Sequence, residues 1–147
     1  MQTCTAPSAS ELEADGWSRY NNRWYKVFSK MSGNHEGEES CEILGAHLIS
    51  IHSKSEDDFV IDLMQKFNST VQDAVWLGLR RTERGSNSWI YTDGTPADYF
   101  NWYETQPDNA DGDEECVQIY TPAYNPNNPR QWGDHKCDLP FRVACKM

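Results

Sequence analysis

The sequence predicts an α+β fold: a strand, two helices, then several short strands joined by long loops. Three features of the 147 residues carry that reading. Segments 36–44 and 55–67 hold helix start and stop signals. Short runs rich in Val, Ile, Trp, Tyr and Phe read as strands. Clusters of Gly, Pro and Asn break up the second half, so strands and helices do not alternate as in a parallel α/β sheet.

Residues 1–15 are polar and read as an extended N-terminal arm before a single domain at 16–147. Arg23 to Phe28 alternates bulky and polar side chains, the period of a half-buried strand. Glu36 to Leu44 reads as a short helix whose acidic first turn suits the helix dipole, with Gly45 as its stop. Leu48 to Ile51 reads as a buried strand. In the helix from Ser55 to Phe67, Ser55 is the expected cap and Asp58 its capping-box partner. Phe59, Val60, Leu63, Met64 and Phe67 share one face of it. Val75 to Leu79 and Ser88 to Tyr91 read as strands, and the chain from there to Asn101 as turns. Val117 to Tyr120 and Phe141 to Lys146 read as the last strands. Between them, residues 121–130 hold three prolines and three asparagines and read as a stiff loop. Trp102 and Trp132 read as core beneath the loops.

Composition excludes some partners. A net charge of −10 argues against nucleic acid, which needs a basic face. No apolar run approaches the roughly 18–20 residues of a membrane helix. The opening Met1-Gln2-Thr3-Cys4 reads as the start of a mature or recombinant chain. The five cysteines form no Cys-x-x-Cys pair, against a zinc ribbon or redox motif. Cys116 and Cys137 bracket the 121–130 loop, while Cys41 lies on the first helix and Cys145 in the last strand. Bridging those pairs would tie the loop and close the chain ends, each bridge contributing about 3–5 kcal/mol. Cys4 is then left over and is expected to link two chains into a disulfide-bonded homodimer, the alternative being a free thiol. Asn68-Ser69-Thr70 is a glycosylation sequon, and with the bridges it points to a secreted protein.

Chemistry concentrates in Gln106-Pro107-Asp108 and the acids that follow, Asp111, Asp113, Glu114 and Glu115. Clustered carboxylates repel one another, and a hard cation removes the conflict: calcium takes roughly six to eight oxygen ligands. A glycosidase would need an acid and a base about 5–10 Å apart across a cleft. These acids converge on one loop and one strand, so the chain is read as a binding module without catalysis. His35, His47, His52 and His135 form no His-Glu-x-x-His pattern, which sets zinc catalysis aside.

A set of motifs in order resembles the C-type lectin-like domain. They are Trp24-Tyr25-Lys26-Val27-Phe28, Leu44-Gly45-Ala46-His47-Leu48-Ile49-Ser50-Ile51, Trp76-Leu77-Gly78-Leu79, Asn101-Trp102, Gln106-Pro107-Asp108, Glu114-Glu115-Cys116 and Trp132-Gly133-Asp134, with Cys137 and Cys145 beyond. The resemblance spans roughly residues 16–146. It implies a double-loop α+β fold with two helices, small antiparallel sheets and a long calcium-binding loop region. It implies the bridges Cys41–Cys145 and Cys116–Cys137. It also implies Ca²⁺ as cofactor, held by Gln106, Asp108, Glu114 and Asp134, with Pro107 in a cis peptide bond. Two vicinal sugar hydroxyls would complete the coordination and hydrogen-bond to the same four side chains. Gln-Pro-Asp points to terminal galactose or N-acetylgalactosamine as the glycan.

The chain departs from the family pattern in three places. Gly133 stands where the family has Asn, so one ligand is missing and weaker calcium binding is expected. Asn109 and Ala110 follow Asp108 where many galactose binders place a Trp, leaving Tyr124 as the candidate aromatic platform. Arg80 and Arg81 stand where an auxiliary calcium site wants acids, although Glu115 and Asn109 remain nearby. His135 adjoins the site as a surface histidine. The alternative function is binding of a protein, mineral or other non-sugar surface on the same scaffold.

Overall fold

The computed structural model describes residues 6–67, 74–103, 105–120 and 131–147. Cys4, Asn68, Tyr124 and the whole 121–130 loop lie outside the described residues.

The polar start differs from the extended arm expected of it, for it holds a six-residue helix, α1 (Ala9–Ala14). Ser8 caps it by accepting from the Glu11 N–H at 3.2 Å. Leu12 gives it a reason to form, packing into the core beside Trp17. The chain continues through β1 (Ser18–Tyr20), β2 (Arg23–Ser32), α2 (Asn34–Ile43), β3 (His47–Leu48) and α3 (Lys54–Phe67). It then runs through β4 (Val75–Arg81), β5 (Trp89–Tyr91), β6 (Cys116–Ile119), β7 (Trp132–His135) and β8 (Phe141–Lys146).

The cap of α3 is Ser53 rather than Ser55: Ser53 Oγ accepts from the Glu56 N–H at 3.1 Å. Glu56, not Asp58, reaches back to the His52 N–H at 2.8 Å. Tertiary partners set this register, because Glu56 is buried and its other oxygen takes the Tyr25 hydroxyl at 2.6 Å and Lys146 at 2.5 Å. Asp58 pairs with Lys54 on the exposed side. The buried face of α3 includes Val60, Met64 and, in addition to the expected set, Ile61.

The described strands run in the order β1-β2-β8-β4-β6-β7, with β3 on β8 and β5 on β4. All pairs are antiparallel except β4 with β8, which is parallel. Both disulfides form as expected, Cys41–Cys145 joining α2 to β8 and Cys116–Cys137 joining β6 to the segment after β7. Gly78 of the Trp-Leu-Gly motif permits a close approach, since a Cβ there would lie 2.9 Å from the Leu48 carbonyl oxygen. Trp132 is fully buried and donates to Asp57 at 3.2 Å. Trp102 is half-buried between Trp89 and Trp132.

Candidate functional site

The β6–β7 register aligns Cys116 with His135, Val117 with Asp134 and Gln118 with Gly133. Asp134 therefore lies beside the point where the chain enters β6 at Glu114. The Gln106–Pro107 bond is cis, as expected of the motif. Asn109 takes the left-handed conformation at φ 46°, which Asn tolerates better than most residues. Its Oδ1 accepts from the Glu114 N–H at 3.0 Å and closes the loop around a 3₁₀ turn at Ala110–Gly112.

The four expected residues come together. Gln106 Nε2 donates to Asp108 Oδ2 at 3.1 Å, and Gln106 Oε1 accepts from the Asp134 N–H at 3.3 Å. Asp134 accepts the N–H of Asp108 at 3.1 Å on one oxygen and that of Asn109 at 2.8 Å on the other. Glu114 Oε1 accepts from the Ala110 N–H at 2.9 Å. One carboxylate oxygen from each of Asp108, Glu114 and Asp134 lies within 4.8 Å of the other two.

Crowding shows in their acidities. Burial, reinforced by the hydrogen bond to Asp108, pushes the Glu114 carboxyl up to about 7. The same hydrogen bond from Glu114 holds Asp108 below the usual carboxylate range. His135 Nδ1 stands 3.8 Å from Glu114, and burial lowers its pKa, which favours neutral imidazole. Arg81 provides the local positive charge, 2.5 Å from Asp134. The donor chemistry suits a hard cation: carboxylates and an amide converge from the 106–108 segment, from Glu114 and from β7.

Two residues of this neighbourhood were not legible as part of it. Arg81 enters the sequence reading only as an argument against a second ion, yet it touches the site directly. Tyr120 explains Gly133: a Cβ at position 133 would lie 2.6 Å from the Tyr120 hydroxyl oxygen and 3.1 Å from two ring carbons. The tyrosine ring takes the place that a side chain at 133 would need.

The Lectin C-type domain family matches residues 30–147. The chain belongs to the C-type lectin family. This C-type lectin domain is 35% identical over 133 residues to a protein named "Lectin" from Pleurodeles waltl, covering 89% of this chain and 73% of that one. It is 34% identical over 139 residues to a galactose-binding C-type lectin isoform from Hoplocephalus stephensii, covering 88% and 81%. The crystal structure of C-type lectin CEL-I from Cucumaria echinata shares the fold, with a TM-score of 0.80 at 22% identity over 88% of this chain and 93% of that one. The family is typically calcium-binding. Among the described residues no helix is long and apolar enough to cross a membrane.

Proposed function

We propose that this domain is a secreted, calcium-dependent lectin selective for terminal galactose or N-acetylgalactosamine. Gln106, Asp108, Glu114 and Asp134 are the residues that would hold the ion. The observation carrying this reading is the convergence of three carboxylates within 4.8 Å, of which Arg81 balances only Asp134. Asp108 and Glu114 stand close enough to share a hydrogen bond, and a divalent cation would take the place of the shared proton between them. Held by these residues, calcium would supply the Lewis-acid centre to which two vicinal sugar hydroxyls could bind. Gln106 and Asp108 place an amide and a carboxylate side by side, and that order sets which hydroxyl geometry finds donors and acceptors. The galactose-binding relative supports the same sugar class.

Gly133 contributes no side-chain oxygen, so the calcium dissociation constant is expected at about 10⁻⁴–10⁻³ M, the range of weaker extracellular modules. Isothermal titration with calcium measures it, and no heat at millimolar calcium would remove the reading. A glycan array run in calcium and again in EDTA tests the sugar. Signals on galactosides that vanish in EDTA are expected. A blank array alongside measurable calcium heat would favour the non-sugar reading instead.

Each chain presents one such site, and a second linked copy raises effective concentration without new contacts. The two intrachain bridges take four of the five cysteines, and the proposed partner of Cys4 is the Cys4 of a second chain. Non-reducing electrophoresis is expected to give a band at twice the 16.9 kDa chain mass that collapses on reduction. A monomer band alone would count against the dimer.

A further inference from the structure

Arg81 ends β4 with its side chain only 1% exposed. All three guanidinium nitrogens are engaged. Nη2 donates to Asp134 Oδ2 at 2.5 Å. Nε donates to the Glu114 carbonyl at 2.9 Å and lies 3.7 Å from the Glu115 carboxylate. Nη1 donates to the Ser86 carbonyl and reaches Asn87 Oδ1 at 3.4 Å. Trp89 covers the face of the group, its ring centroid 4.3 Å from Cζ. Oxygens from several chain segments gathered around one positive charge are the surroundings a hard metal ion collects. Here the cation belongs to the chain.

We propose that Arg81 is a resident cation of the site, a positioning residue that holds the binding loop in shape without metal, so that the site takes a single calcium ion. The single-ion part rests on the calcium reading above; the positioning part does not. Guanidinium suits the task because it stays charged and its donors are fixed in a plane. Its bond to Asp134 continues through that carboxylate to the main chain of Asp108 and Asn109. Its bond to the Glu114 carbonyl fixes the opposite wall. The contacts with Ser86 and Asn87 tie both walls to the β4–β5 connection. A binding loop ordered in advance loses less entropy when its ligand arrives.

The test is proteolysis by glutamyl endopeptidase, a serine protease that needs no metal and in phosphate buffer cuts after aspartate as well as glutamate, and so reports on Asp108, Asp111, Asp113 and Glu114. In EDTA, Arg81→Gln is expected to speed cleavage at these sites by about tenfold or more over the unaltered chain, as befits loss of charged hydrogen bonds. Arg81→Lys keeps the charge without the planar fork and is expected to fall between. Rates in EDTA equal to the unaltered chain for both variants would overturn the assignment. Cleavage spread over the whole chain in both would also overturn it, since it marks a general structural role. Equilibrium dialysis of the unaltered protein with radioactive calcium is expected to give one ion per chain. Two ions would overturn the single-ion part. None would overturn the calcium reading and the single-ion part with it, while the EDTA cleavage rates would still decide the role of Arg81.

Discussion

Asp134→Ala is expected to destabilise the domain by about 3–5 kcal/mol and to abolish calcium binding. The stability loss comes from the partner left behind. Arg81 and Asp134 have side-chain exposures of 1% and 0%, so neither charge has water to fall back on. Removing one member of a buried pair strands the other, which costs more than the pair itself contributes. For a domain of this size such a loss lowers the melting temperature on the order of 10 °C. The N–H groups of Asp108 and Asn109 lose their acceptor in the same step. A double variant, Arg81→Met with Asp134→Leu, separates the two effects. It removes both charges and is expected to recover at least half of the lost stability, yet to bind no calcium. Thermal melts of Asp134→Ala, of Arg81→Met and of the double variant, with calcium titration, check this. Additive losses in the double variant would show that the pair is not coupled and that the explanation is wrong.

What the sequence shows of this domain depends on the range of the physics involved. Helix α3 is legible because its apolar face repeats at helical spacing, and the site because Gln106, Pro107, Asp108 and Glu114 lie within one short segment. The cap of α3 is misread by two residues because Ser53 and Ser55 look alike locally, and the choice belongs to Glu56 and its distant partners Tyr25 and Lys146. Helix α1 is missed although Ser8 and Glu11 stand at capping-box spacing, a signal easily lost in a segment with Leu12 as its buried residue. Arg81 is the largest omission. Its partner is 53 residues away, and the pair exists only because β4, β6 and β7 lie side by side. A charged residue ending an otherwise buried strand is the local trace of such a partner, and in β4 that trace is present.

Gly133→Asn, the change that looks like a repair of the missing ligand, is expected to fail when made alone. The new Cβ would fall 2.6 Å from the Tyr120 hydroxyl oxygen, well inside any normal contact. The ring has little room to withdraw: Tyr120 is 8% exposed and packs edge-on against Tyr103 at 5.9 Å. Overpacking of this kind costs about 1–3 kcal/mol, so the variant should melt lower without binding calcium more tightly. On a Tyr120→Ala background the three atoms nearest to the new Cβ are gone. There it is expected to cost no stability beyond that of Tyr120→Ala and to tighten calcium binding by about tenfold, the effect of one added hard oxygen ligand in a site of this class. The four proteins form a double-mutant cycle read by melting temperature and by calcium titration. A gain in affinity from Gly133→Asn alone, with an unchanged melting temperature, would refute the coupling. Position 133 then would be a simple loss of a ligand. With the expected outcome, Gly133 and Tyr120 form one exchange, in which an aromatic ring occupies the space of the missing asparagine.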